Sequence, residues 1–315
     1  MLIQILYLAA GLLLVIKGGD LFVDSSVHIS RRLHIPRIVV GGTIVSLATT
    51  VPELVVSATA SYMGDSGIAV GNAVGSAIAN IGLIVGVVAV LTPVVVDLAD
   101  FRARSLWMLG SAILVIIFSW DLELPRTLGL ILFAVALVYL AVDCIGAIRK
   151  RKTADETPDE TPLTKSLMTF ALGAVMVGLG SRLLVTSGIQ IASALGIPSV
   201  IIGLSIIAVG TSLPELVTAV TAARKGVPDL SIGNIIGANV LNLSMITGIS
   251  AVIRPLSLLP FTRNYSFPWL MVFVGLMILM IGREGKIDKR EGCILLALYF
   301  LYIAGLIVFP MIGRV

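Results

Sequence analysis

Apolar residues run along this chain in long unbroken stretches separated by short polar breaks. Stretches of about 17 to 25 residues, the length that crosses a bilayer as a helix, lie near residues 2–25, 38–62, 68–92, 104–120, 127–147, 167–192, 199–222, 230–253, 267–282 and 292–312. The pattern predicts about ten transmembrane helices, the shorter runs being the least defined. Because the runs are continuous and not alternating, they argue against a strand-built barrel.

Several runs contain polar residues, and those residues recur. IVSLATTVPELV, from Ile44, returns as IIAVGTSLPELV from Ile206, and GNAVGSAIAN from Gly71 returns as GNIIGANVLN from Gly233. Both pairs stand 162 residues apart (215 − 53 for the two glutamates). Held without a gap from Leu33 to Pro93, this offset gives roughly 22 identities in about 61 positions, more than shared apolarity supplies. Pro36 then meets Pro198, Glu53 meets Glu215, Asn72 meets Asn234, Asn80 meets Asn242 and Pro93 meets Pro255. Each copy holds five spans, an odd number, so the copies enter the membrane from opposite sides. The expected architecture is an all-α membrane protein of two inverted five-helix repeats, residues 1–148 and 166–315. A short charged linker at 149–165 joins them.

Composition agrees with this class. The 315 residues are 57% apolar and 13% charged, with a mean hydropathy of +1.07, too greasy for a soluble globule. The net charge of +4 does not call for nucleic acid, since the basic residues sit at span ends and no nucleic-acid motif is present. Sixteen of the 22 Lys and Arg, including the run RKRK at 149–152, fall on one side of the alternating loops. Arg126, Arg254, Arg263 and Arg314 fall on the other, and Lys17 and Arg182 lie within spans. The positive-inside rule places both termini outside and the linker in the cytoplasm of a multi-pass cell-membrane protein. The first run lacks a basic leader and a small-residue cleavage pattern, so it reads as structure and not as a signal peptide. Cys144 and Cys293 read as small buried apolar side chains, and His28 and His34 as loop residues.

The repeated segments carry the chemistry. An acid in mid-span costs at least a few kcal/mol and marks a polar cavity or an ion path. Pro52 and Pro214, just before Glu53 and Glu215, disrupt the helix and leave carbonyl oxygens unbonded at the level of the acids. Thr49 and Thr50 precede Glu53 by four and three residues and share its face, as Thr211 and Ser212 do with Glu215. Asn72, Ser76 and Asn80 form a second stripe at steps of four, matched by Asn234, Ala238 and Asn242, with Gly71, Gly75, Gly233 and Gly237 permitting close helix approach. Carboxylate, hydroxyl, amide and carbonyl oxygens form a set suited to hard cations such as Ca²⁺ or Na⁺. A single Ser, Thr or Asn in a span is ordinarily helix-to-helix glue; two acids with matching hydroxyls in two copies are not. Asp20 and Arg182, equivalent by the same offset, are expected to be structural, and Lys17 to snorkel.

ATTVPE with GNAVGSAIANIG, and GTSLPE with GNIIGANVLN, resemble the paired alpha-repeats of the sodium/calcium exchanger family of cation/calcium antiporters, in its prokaryotic form. The resemblance spans nearly the whole chain and implies alternating access. It implies that Ca²⁺ binds between Glu53 and Glu215 with oxygens of Thr49 and Thr211. It further implies that Na⁺ uses overlapping sites recruiting Ser46, Thr50, Ser76, Ala208, Thr211 and Ser212, some by backbone carbonyls, while Asn80 and Asn242 complete the centre. The first spans of the two halves, about 2–30 and 167–192, would slide against the rest. The chain departs from the family at Ala48 and Thr50, where Gly and Ser are common, at Ala238 for a common serine, and at Asn242, where some members carry aspartate.

The leading expectation is therefore a secondary antiporter exchanging Na⁺ for Ca²⁺, acting as a monomer in the lipid bilayer. It needs no cofactor and, lacking a P-loop, no ATP. Coupling of Ca²⁺ to H⁺ keeps the same fold, and K⁺ or Mn²⁺ are further candidate ions. A passive cation channel belongs to another class, and the single-chain pair without a ring of subunits argues against it. An intramembrane enzyme is the weakest reading, with no HExxH pair and no nucleophile and base.

Overall fold

A computed structural model describes residues 2–150, 161–194 and 208–311. Most of the expected linker (151–160), Pro198 and the first part of the expected 199–222 span lie outside the described residues. The fold is all-helical. In chain order the helices are α1 (Leu2–Leu33), α2 (Arg37–Thr49), α3 (Val51–Met63), α4 (Ser66–Leu91), α5 (Leu98–Phe118), α6 (Arg126–Lys150) and α7 (Leu163–Ala194). They continue with α8 (Ala208–Thr211), α9 (Leu213–Arg224), α10 (Pro228–Ile253), α11 (Thr262–Glu284) and α12 (Lys289–Met311). Among the described residues, seven helices are long and apolar enough to cross a membrane, eight if α2 and α3 form one bent span.

The first helix is longer than its apolar run, continuing through SSVHISRRL to Leu33. The extension keeps a buried face, Ser25, Ser26, Ile29 and Ser30, against the protein, so it persists where lipid no longer requires it. His28 is therefore helical and not in a loop, while His34, with φ of 54°, makes the turn that follows.

α4 and α10, which carry the GN motifs, form the centre, with 72% and 89% of their most apolar stretch buried against 22% for α6. Peripheral helices present large apolar side chains outward, among them Leu137, Val138, Phe300 and Leu301. Cys144 and Cys293 lie on this outer surface, contrary to expectation. Lipid is as apolar as a protein core, so hydropathy cannot tell which of the two a side chain meets.

α1 and α7 cross backbone to backbone. A Cβ on Gly11 would stand 2.9 Å from the Gly180 carbonyl oxygen, and one on Gly18 2.7 Å from Met176 Cβ and 3.1 Å from the Gly173 carbonyl oxygen. Two short ladders tie loops across the chain: β1 (Val94–Val95) with β4 (Lys286–Ile287), and β2 (Glu123–Leu124) with β3 (Leu256–Ser257). Val94 pairs with Ile287 and Leu124 with Leu256.

Candidate cation site

Each acid sits in the first turn of a helix that follows a break. α2 and α3 meet at 45° at Thr50, because Pro52 offers no N–H to the Ala48 carbonyl. Glu53 follows one residue later, in the first turn of α3. α9 starts in the same way, with Pro214 and then Glu215 in its first turn. The positive end of a helix dipole favours an acid there.

Both side chains are fully buried, and neither carboxylate oxygen of either has a hydrogen-bond partner. The like charges act on each other. A buried carboxylate is tolerated only when something pairs with it. Among the described residues, no third His, Cys, Asp or Glu joins them in a metal-holding group.

Around the acids the two copies clasp one another. Thr49 Oγ1 donates to Asn234 Oδ1 at 3.2 Å, and Thr211 Oγ1 donates to Asn72 Oδ1 at 3.2 Å. Asn72 also donates to the Glu53 carbonyl at 3.2 Å and to Ser57 Oγ at 2.9 Å. Thr50 Oγ1 donates to the Ser46 carbonyl at 2.7 Å, and the Thr50 N–H reaches the same oxygen at 3.0 Å. Ser46 Oγ in turn donates to the Thr43 carbonyl at 3.0 Å.

Ser76, Ser212, Asn80 and Asn242 are all buried. The hydroxyls of Ser76 and Ser212, the Asn80 carbonyl oxygen and both polar atoms of Asn242 have no hydrogen-bond partner. Ala208 opens α8; its side chain lies outside the described residues. Thus one set of bonds joins Thr49 to Asn234 and a second joins Thr211 to Asn72 and the Glu53 carbonyl, each running between the two copies. Helix α8, ending at Thr211, packs against α4, which carries Asn72, Ser76 and Asn80.

The helices themselves are irregular here. π-helical turns span Gly41–Val45, Asn80–Val85 and Leu241–Ile246, so Asn80 and Asn242 each sit in a widened turn of the kind often found at functional sites. The expected close approach of the GN glycines holds for the second copy. A Cβ on Gly233 would meet the Ile38 carbonyl oxygen at 2.1 Å, and one on Gly237 the Gly42 carbonyl oxygen at 2.4 Å.

Three groups escaped the sequence reading. Asn239, fully buried, accepts from Asn80 Nδ2 at 2.9 Å. Tyr139 donates its hydroxyl to the Gly42 carbonyl at 3.0 Å, beside the turn that leads to Ser46. Arg104, expected among the cytoplasmic loop charges, lies inside α5 and pairs with Asp143 of α6 at 2.7 Å, both nearly buried. An acid inside the 127–147 run, four residues from its end (147 − 143), was the available signal for the last of these. Asp20, expected to be structural, pairs with Lys225 at 3.3 Å.

Residues 3–144 and 165–308 match the family described as sodium/calcium exchanger protein. The chain is 32% identical to the sodium/calcium exchanger MaX1 of Methanosarcina acetivorans, covering 96% of this chain and 97% of that protein. It is 34% identical to the putative antiporter CaxA of Alkalimonas amylolytica, covering 96% and 98%. A solved structure of the sodium-calcium exchanger NCX_Mj, soaked with 2.5 mM Na⁺ and 0.1 mM Ca²⁺, superposes with a TM-score of 0.86 at 30% identity, over 97% of this chain and 99% of that one.

Proposed function

Because this chain belongs to the sodium/calcium exchanger protein family, we propose that it exchanges Na⁺ for Ca²⁺ by alternating access at a single site between Glu53 and Glu215. The observation that carries this reading is the pair of fully buried carboxylates whose oxygens have no hydrogen-bond partner. Two such charges neutralise one Ca²⁺ or two Na⁺, so the ions compete for the same acids, and that competition is the coupling. Thr49, Thr211, Thr50, Ser212, Ser46, Ala208, Ser76, Asn80 and Asn242 supply the remaining oxygens, by side chain or carbonyl.

Na⁺ is preferred to H⁺ as the coupling ion for a chemical reason. A proton needs only a carboxylate, whereas buried hydroxyls such as those of Ser76 and Ser212 add ligands that only a metal ion uses. Ala238, which replaces a hydroxyl in the second copy, thins that shell by one oxygen without touching the acids.

The reading places ten spans in two inverted repeats, 1–148 and 166–315, around a cytoplasmic linker at 149–165, with both termini outside. Reciprocal contacts support the inversion. Gly11 and Gly18 of α1 meet Gly180 and Gly173 of α7, which are each other's equivalents at the 162-residue offset (173 − 11, 180 − 18). The β1–β4 and β2–β3 ladders exchange loops in the same manner.

Reconstituted in proteoliposomes with Na⁺ inside, the protein is expected to accumulate Ca²⁺ when external Na⁺ is removed, and Glu53→Gln to abolish accumulation. Accumulation driven by a pH gradient and indifferent to Na⁺ transfers the coupling to H⁺. Undiminished uptake by Glu53→Gln sinks the proposed site.

A further inference from the structure

We propose that Asn239 and Met108 are positioning residues that turn the Asn80 amide so that its carbonyl oxygen, and not its NH₂, is offered to the cation. The proposal rests on the Ca²⁺ site proposed above. Asn80 Nδ2 donates to Asn239 Oδ1 at 2.9 Å, and Asn239 Nδ2 points at Met108 Sδ at 3.6 Å.

A thioether sulfur can only accept. The amide edge facing Met108 must therefore be the NH₂ of Asn239, which leaves the Asn239 oxygen facing Asn80. Asn80 must answer with its own NH₂, because the opposite orientation sets oxygen against oxygen. The polarity of a three-residue chain is thus fixed at its far end by an atom with no proton to give. All three side chains are fully buried.

The other edge of the Asn80 amide is its Oδ1, which is buried and has no hydrogen-bond partner. Asn80 opens the π-helical turn Asn80–Val85, and this turn packs against α9, the helix that carries Glu215. An oxygen held in advance on the turn that packs against the second acid's helix is a preorganised neutral ligand.

The arrangement belongs to one copy only. At the 162-residue offset Asn239 meets Ala77 (239 − 77), so Asn242, the twin of Asn80, receives no such partner from the first copy. Both polar atoms of the Asn242 side chain are buried without a hydrogen bond. The two amides of the site thus differ: Asn80 has a set orientation, while Asn242 can present either edge.

The test is Ca²⁺ binding to the purified full-length protein, titrated calorimetrically in Na⁺-free buffer. Asn239→Ala is expected to weaken binding about tenfold, as loss of an orienting partner does at metal sites. A carboxylate offers oxygen on either edge, so in an Asn80→Asp background the same change should cost less than about twofold. Met108→Leu keeps the volume, removes the acceptor and should weaken binding in the same direction, which carries the test if Asn239→Ala does not fold. Unaltered affinity in Asn239→Ala or in Met108→Leu overturns the proposal, as does an equal cost with and without Asn80→Asp. Normal binding by the wild type with no effect of these variants refutes this inference alone, whereas no Ca²⁺ binding by the wild type refutes the site itself.

Discussion

Replacing Arg104 should destabilise this protein more than replacing Asp143, although the two form one ion pair. Arg104 Nη2 lies 2.7 Å from Asp143 Oδ1, and Arg104 Nη1 lies 3.9 Å from Asp100 Oδ1, with side-chain exposures of 6%, 10% and 13%. At an effective dielectric of about 20, unit charges about 4 Å apart interact by about 4 kcal/mol. Measured losses on removing one partner of a buried pair fall at about 3–5 kcal/mol. The two figures agree, so either single change is expected to lower the melting temperature in detergent clearly. Arg104→Met removes the cation from two acids, whereas Asp143→Leu leaves Arg104 beside Asp100; the arginine variant should therefore melt lower. The double variant removes both charges of the 2.7 Å pair and keeps only Asp100, the most exposed of the three, so much of the loss should be recovered. Thermal unfolding of the three variants reads the order directly. Asp143→Leu melting below Arg104→Met, or a double variant no more stable than Arg104→Met, refutes the reasoning.

Asn72→Ala breaks the bonds to Thr211, the Glu53 carbonyl and Ser57 at once, and should lower Ca²⁺ uptake in proteoliposomes about tenfold or more, as expected for residues that hold metal ligands in place. Gly237→Ala places a Cβ 2.4 Å from the Gly42 carbonyl oxygen and should cost about 1–3 kcal/mol or more by overpacking. Gly110→Ala, with nothing within 4 Å, should leave the melting temperature unchanged or slightly raised, since alanine is the better helix former by about 1 kcal/mol. For the topology, Thr153→Cys in a background of Cys144→Ser and Cys293→Ser should react with an impermeant maleimide in inside-out vesicles and not in right-side-out cells; the reverse inverts the proposed orientation.

The legible part of this protein is what it states twice. Glu53 and Glu215, Thr49 and Thr211, Asn72 and Asn234 drew attention because each appears at the same offset, and the structure joins two of these pairs crosswise by hydrogen bonds. What it states once was harder to read. Asn239 faces Ala77 in the comparison of copies, so its hold on Asn80 left no symmetric trace. Arg104 carried the right charge for a cytoplasmic loop, and the topological use of that charge hid its partner Asp143. The π-helical turns add a residue without disturbing apolar periodicity over so short a stretch, so pattern alone does not show them. The outward positions of Cys144 and Cys293 were hidden because lipid and core reward the same side chains.

The crosswise Thr–Asn bonds also bear on how the molecule is made. Asn72 and Glu53 leave the ribosome long before Thr211 and Glu215, because domains emerge from the N-terminus onward. For that interval the first half holds an acid without its counterpart and an amide whose oxygen still awaits the Thr211 hydroxyl. The site is therefore among the last features to be completed: a chain that stops before residue 211 can close neither clasp, and one that stops before residue 234 still lacks the bond from Thr49. Biogenesis of this protein must shelter Glu53 through a waiting period whose length is set by the distance between the two copies.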